Sequence, residues 1–294
     1  MRRVQVASAT SLAAAAGAAV ADAGGNAVDA AIGASIASLC TEIGIIAPAG
    51  CGFVTFWPQD GDPIVIDGFA EMPGRGLTPD QFGGGGRRVE MSYGGHTETI
   101  VGWGSVATPG AFAAFAEAHR RYGTVAWSEI LAPTVRIVEE GFAVTGASAE
   151  YLDHSHKVVF GWDETSRSIT HHPDGSPVAE GDRIHSPHLA DTLRLVASEG
   201  ASVLYEGEIG RRTVDAVRAG GGILTNEDLR SYAVEIREPI RVQLDDWEVA
   251  TNPLPAVGGV VASAILLLAS SPEFEGWIPR EVDRMARIQR AVLR

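Results

Sequence analysis

Six histidines crowd the middle of this 294-residue sequence: His154 and His156 as an HxH, His171 and His172 as neighbours, His185 and His188 as an HxxH. Three neutral imidazoles can bind zinc. These sit in polar, turn-rich sequence, and the helical HExxH pattern is absent, so they read as surface histidines and no metal is expected. Ser168-Ile169-Thr170-His171-His172 sets hydroxyls beside imidazoles, but Pro173-Asp174-Gly175 makes that stretch a hairpin turn. Carboxylate pairs fit for acid/base work occur at Glu139-Glu140 and Asp245-Asp246, which read as a solvated helix end and a turn. A phosphate cradle needs Gly-Lys-Ser/Thr. Gly83-Gly84-Gly85-Gly86 lacks it and Lys157 is the single lysine, so residues 83–95 are expected to be a mobile loop. Cys40 and Cys51 are too few for a disulfide framework or a CxxC site; they are expected as reduced thiols at apolar positions.

The elements that would position any chemistry are those of a large folded unit. Hydrophobic residues make up 45% and charged residues 20% of the chain, ample for a buried core. A net charge of −14 provides no basic face for nucleic acid or an anionic membrane, so neither is an expected partner. Met1-Arg2-Arg3 followed by an Ala-rich run superficially looks like a secretory leader. Gln5, Ser8, Thr10 and Ser11 interrupt it, and it flows into a second helical pattern. No stretch approaches the apolar length of a membrane span, and a cytoplasmic location is expected.

Residues 10–22 predict a small-residue helix stopped at Gly24-Gly25, and Asn26 with Asp29 caps a second, closely packed one. Residues 52–67 predict a hairpin of two buried strands around 58–63. Thr108 is expected as N-cap, with Pro109 in the first turn, of a helix ending at Gly123. Further helices are expected over 128–140, from Ser186-Pro187 to Gly200, and over 208–219. A capping box is expected at Thr225–Asp228, and strands over 238–251. Val282, Met285, Ile288 and Val292 recur at helical spacing from Pro279 to Arg294 with no terminator after them.

Four segments, in order and together spanning essentially the whole chain, resemble the large subunit of γ-glutamyltranspeptidases. They are Gly24-Gly25-Asn26-Ala27-Val28-Asp29-Ala30-Ala31; Ala107-Thr108-Pro109-Gly110 with Tyr122-Gly123, Ala132-Pro133 and Glu140-Gly141-Phe142; Gly220-Gly221-Gly222-Ile223-Leu224-Thr225 with Asp228-Leu229 and Tyr232; and Asn252-Pro253-Leu254-Pro255 before Gly258-Gly259. The resemblance implies an α+β fold, the four-layer αββα sandwich of N-terminal-nucleophile (Ntn) hydrolases, completed by a second, small subunit. Residues 1–294 would be the large-subunit portion of that one domain. A precursor would cleave itself to expose a Thr at the start of the small subunit, outside this chain. The freed α-amine is a base beside the hydroxyl it activates, and an oxyanion hole steadies the tetrahedral species. No catalytic residue is then expected in this chain, and no cofactor. The expected partners are the small subunit from the same precursor, a dimer of such heterodimers, and a small-molecule acyl substrate. The Thr170-His171-His172 stretch superficially resembles the start of a family small subunit but lies too early in the chain.

Two departures bear on the substrate. Family members that take glutathione carry an arginine in an R-E-x-A-P motif that clamps the glutamyl α-carboxylate. Counting back from Pro73, Phe69 stands in its place. Losing one partner of such a contact costs roughly 2–5 kcal/mol, on the order of 30-fold to several thousand-fold in transition-state binding. Phe69, Glu71 and Arg75 are thus the candidate substrate-binding residues: Phe69 as wall for an apolar or planar acyl group, or else core, and Arg75 as a substitute cation. The second departure is a shortened glycine-rich run at residues 45–53. The implied function is an amidohydrolase or acyltransferase on a substrate other than a standard γ-glutamyl compound, such as a biosynthetic intermediate with an amide or a C–C bond beside a carbonyl. The alternatives are a γ-glutamyl hydrolase or transpeptidase using another cation, and a non-catalytic family scaffold.

Overall fold

The computed structural model describes residues 4–93, 97–270, 287 and 290. Helix α1 (Ser11–Asp22) is capped by the Thr10 hydroxyl, which accepts from the Ala13 N–H. Helix α2 (Ala27–Thr41) opens on a capping box in which Asn26 Oδ1 accepts from the Val28 and Asp29 N–H groups, and Asp29 accepts from the Asn26 N–H. The two helices lie side by side, joined through buried Ala13, Ala16 and Ala37. Asp29 is fully buried and also accepts from the Thr124 N–H and hydroxyl, while Asn26 Nδ2 donates to the Tyr122 carbonyl. The first family-like segment is therefore a helix cap that also anchors a distant turn.

Strands β1 (Gly52–Phe56) and β2 (Ile64–Gly68) form the expected hairpin, in register from Gly52 opposite Gly68 to Phe56 opposite Ile64. Strands β3 (Arg87–Met91) and β4 (Thr97–Val101) form a second hairpin, correcting the expected loop: Val89 and Met91 turn inward between exposed Arg88 and Glu90. The glycines before β3 cross the later glycine run backbone to backbone. A Cβ on Gly85 would lie 2.7 Å from the Gly221 carbonyl carbon, and one on Gly220 would enter the Trp103 ring. Close approach, not phosphate binding, explains both runs.

Helix α3 (Ala111–Tyr122) starts three residues after Thr108. Thr108 is not its cap, because its N–H and C=O both pair with Glu71, leaving the carbonyl no part in a helical ladder. Helix α4 (Trp127–Glu140) ends at Gly141 as expected. The stretch from 141 to 186, expected to be merely polar, holds β5 (Phe142–Ala143), α5 (Gly146–Ser155), a π turn at His156–Phe160, α6 (Glu164–Thr170) and β6 (Arg183–Ile184). Each short helix has few apolar anchors, such as Leu152 and Ile169, too few to show a period. Helices α7 (Pro187–Glu199), α8 (Glu208–Ala219) and α9 (Asn226–Ser231) follow, the last with its capping box at Thr225 and Asp228. Strand β7 (Glu235–Arg237) joins β2 to give the sheet order β1-β2-β7. Strands β8 (Ile240–Leu244) and β9 (Trp247–Thr251) turn at Asp245, and α10 (Val257–Ala269) packs on β8. The expected helix from 279 to 294 lies outside the described residues except for Arg287 and Arg290, both helical.

Helices α2 and α3 pack on each other and α3 on the β1-β2 pair, with α4 and α7 behind, enclosing Ile32, Ile36, Ile66, Ile130, Leu131 and Leu193. An α-layer on a β-layer results. Cys40 sits in that core, and burial pushes its thiol up to about 12. Cys51 differs from expectation: it is exposed, because it precedes β1 at the open end of the sheet. Among the described residues no helix is long and apolar enough to cross a membrane.

Candidate functional site at the open end of the sheet

The penultimate residue of strand β2 is Asp67, whose side chain is nearly buried against Arg237 of β7, Oδ2 to Nε 2.6 Å. Its Oδ1 accepts from the Phe69 N–H at 2.9 Å, turning the chain out of the sheet. The Phe69 ring stacks on Phe53 of β1, centroids 5.5 Å apart, and stays 41% exposed. It is a ledge at the sheet's end, not core. Its carbonyl accepts from the Tyr232 hydroxyl at 2.7 Å. Tyr232 stacks on Tyr205, whose hydroxyl accepts from the Ala113 N–H of α3. Burial raises the pKa of both phenols, Tyr205 to about 12, with Tyr205 and Asp67 adding to the effect on Tyr232. Both therefore remain protonated, and Tyr232 remains a donor. Any Cβ on Gly110 would run into that hydroxyl and the Gly68 carbonyl, which explains the glycine after Thr108-Pro109.

Beyond Phe69 the segment is pinned twice. Glu71 and Thr108 exchange backbone hydrogen bonds, N to O 3.2 and 3.0 Å. The buried Asp228 carboxylate then takes the Gly74 N–H at 2.8 Å and the Arg75 N–H at 2.9 Å, besides the Thr225 N–H and hydroxyl of its own cap. Burial alone would raise the Asp228 pKa, but these four donors outweigh it and hold the carboxyl below its ordinary value. Arg75 Nη2 pairs with Glu71 Oε2 at 2.7 Å, both side chains more than a third exposed, and Nη1 reaches the Asp228 carbonyl at 3.5 Å. The structure thus joins Glu71 to Arg75, and Phe69 stands on Phe53. Tyr232 and the loop-holding role of Asp228 are what sequence reasoning missed. Their signal was present, since the spacing Thr225, Asp228, Tyr232 recurs in the family-like segment, but a capping box alone explained the first two.

The histidines do not converge. His154 Nδ1 meets Ser92 Oγ, His156 Nδ1 meets His171 Nε2 at 2.9 Å, and His172 meets Asp182. Among the described residues no three His, Cys, Asp or Glu side chains form a metal set. Burial first, then neighbouring positive charge, lowers the pKa of His156 and His171. Thr170 ends α6, buried, its hydroxyl donating to the Ser166 carbonyl. It is a helix-end threonine.

The family model for gamma-glutamyltranspeptidase matches residues 13–292. The Acylase ACY 1 proenzyme of Pseudomonas sp. (strain V22) is 32% identical over 260 residues, 87% of this chain and 45% of that protein. The Glutathione hydrolase proenzyme of Bacillus subtilis (strain 168) is 32% identical over 258 residues, 87% of this chain and 42% of that protein. The chain thus spans just under half the length of these relatives. Among solved structures, a gamma-glutamyltranspeptidase from Pseudomonas nitroreducens, complexed with L-DON, superposes with TM-score 0.82 at 25% identity. It covers all of this chain and 85% of that one. A cephalosporin acylase from Bacillus halodurans superposes with TM-score 0.75 at 29% identity, over 93% of this chain and 50% of that one.

Proposed function

This chain belongs to the gamma-glutamyltranspeptidase family, with its α+β Ntn-hydrolase fold, and on that premise we propose that it is the large-subunit portion of an Ntn amidohydrolase or acyltransferase. The nucleophile is an N-terminal Thr of a small subunit cut from the same precursor. Its hydroxyl oxygen bonds to the acyl carbon, the C–N bond breaks, and the amine leaves with the proton that the α-amine took from the hydroxyl. Water or an acceptor amine then displaces the Thr ester oxygen, which recovers a proton. This chain's part is to hold the acyl group, with Phe69 as wall and the segment to Arg75 as frame. The proenzyme names and lengths of the relatives support the division into two subunits.

The observation that carries the substrate reading is the 41% exposed Phe69 ring stacked on Phe53 at the strand end. An apolar face there offers a carboxylate no partner, so the substrate is an acyl compound other than a standard γ-glutamyl one. The test is turnover of a panel of acyl anilides by the processed full-length protein. Apolar or aryl acyl donors should exceed the γ-glutamyl donor in kcat/KM, and the reverse order rejects the reading.

A second reading, γ-glutamyl hydrolysis with Arg75 as clamp, draws on one observation. Arg75 is held by an exposed ion pair with Glu71, of a kind worth about 0–1 kcal/mol, and by a long 3.5 Å contact to the Asp228 carbonyl, so little holds the guanidinium back from a ligand. Replacing Arg75 by Ala would then abolish γ-glutamyl anilide turnover, and unchanged turnover rejects it. Processing bears on the scaffold alternative: a small chain starting with Thr supports an enzyme, and no such chain supports a scaffold.

A further inference from the structure

A cavity of about 540 Å³ lies beneath the residues 43–48, within the size range of small-molecule sites. Leu39, Phe142, Phe160, Ile169, Ile184 and Leu189 form its wall, and among the described residues no charged side chain lines it. Of its hydroxyls, that of Thr170 is already spent on the Ser166 carbonyl. A second apolar cavity, about 160 Å³, shares the walls Pro48 and Leu189 and extends toward Leu193 and Val196.

The exposed lining residues Ile45, Ile46, Ala47 and Cys51 form its mouth, and Cys51 brings that mouth beside the site already described. Gly52 faces Gly68 across the β1–β2 ladder, so Cys51 and Phe69 leave the sheet side by side, about 5 Å apart by the spacing of paired strands. The Gly50 carbonyl accepts from the Gly110 and Ala111 N–H groups, fixing the mouth to the start of α3. Leu39, Ile46 and Cys51 also line a further, partly polar hollow together with Phe53, which links the cavity to the Phe69–Phe53 stack.

We propose that this cavity receives the tail of the acyl substrate, and that the tail is a linear, uncharged aliphatic chain entering between Phe69 and Cys51. The proposal rests on the acyl-transfer reading of the same site and names its substrate class. A lining with no cation among the described residues rejects a carboxylate tail, and entry at Cys51 leaves the chain's reacting carbonyl beside the Phe69 ring.

Two measurements on the processed full-length protein test it. In the wild type, decanamide should slow alkylation of Cys51 by iodoacetamide at least about 10-fold, read by peptide mass. An unchanged rate overturns the proposal, and so does a Cys51 unreactive without ligand, which would mean that the partner subunit fills the mouth. In turnover, kcat/KM should rise about 4-fold per methylene from acetyl to decanoyl anilide until the cavity is filled. Ile169→Trp should reduce the decanoyl-to-acetyl ratio at least about 10-fold. A folded variant with an unchanged ratio overturns the proposal, and if the variant does not fold the Cys51 measurement decides alone. Absence of turnover with every donor refutes the acyl-transfer reading instead, while Cys51 protection still decides the cavity.

Discussion

Replacing Asp228 by Ala should unfasten the Phe69–Arg75 segment. The carboxylate is buried and receives four hydrogen bonds of 2.8–2.9 Å, two from the Gly74 and Arg75 N–H groups and two from Thr225. Loss of the capping interaction costs about 1 kcal/mol. The two loop bonds go to a charged acceptor, a type worth about 1.5–3 kcal/mol each. Water can reach part of the freed backbone, so the total should be about 3–5 kcal/mol. Asp228→Asn keeps one carbonyl acceptor but sets an amide N–H₂ against N–H donors, and should cost about 2 kcal/mol by the same reckoning. Denaturant titration of the assembled protein gives the magnitude, and amide exchange at Gly74 and Arg75 gives the place. Because the folded-state pKa of Asp228 is depressed, this contribution is present above the ordinary carboxylate value of 3.8 and is lost as pH falls below it. Asp228→Asn should remove that acid-limb loss. A cost below about 1 kcal/mol for Asp228→Ala, or unchanged exchange at Gly74 and Arg75, would mean that Asp228 does not hold the segment.

Phe69→Ala removes half of an exposed stack, so stability should fall by only about 1 kcal/mol, while kcat/KM for apolar acyl anilides should fall about 10-fold, seen in steady-state rates. Arg75→Ala should change stability by less than about 1 kcal/mol, since its ion pair with Glu71 is exposed, as denaturant titration can check. Glu117 of α3 is held from an ordinary 4.5 to about 2, chiefly by its bond to Arg120 and also by Arg121. It stabilises the fold fully above pH 4.5 and loses that contribution as pH falls toward 2. Glu117→Gln should flatten this part of the acid denaturation curve.

Local rules made much of the fold legible. Asn26 with Asp29, Thr225 with Asp228, and the glycines at 123, 141 and 200 end or begin helices where capping chemistry says they should. What failed depended on distant partners. Thr108 has the look of a cap until Glu71, far back in the chain, takes its backbone groups. Arg87–Met91 reads as loop until Thr97–Val101 pairs with it. The site divided in the same way. Phe69 was recognisable from the motif it departs from, but its perch on Phe53, and the tether from Asp228 to Gly74 and Arg75, join residues up to 154 positions apart. Cys51 looked apolar by its neighbours, and only the end of the sheet exposes it.

In the proposed enzyme this chain holds an acyl group for a nucleophile carried on a partner cut from the same precursor. Intact-mass measurement of the processed protein after mixing with an apolar acyl donor tests it most directly. The expected result is a second chain beginning with Thr and gaining the acyl mass at that residue, with this chain unmodified. An uncut precursor, or acyl mass on this chain alone, would contradict it.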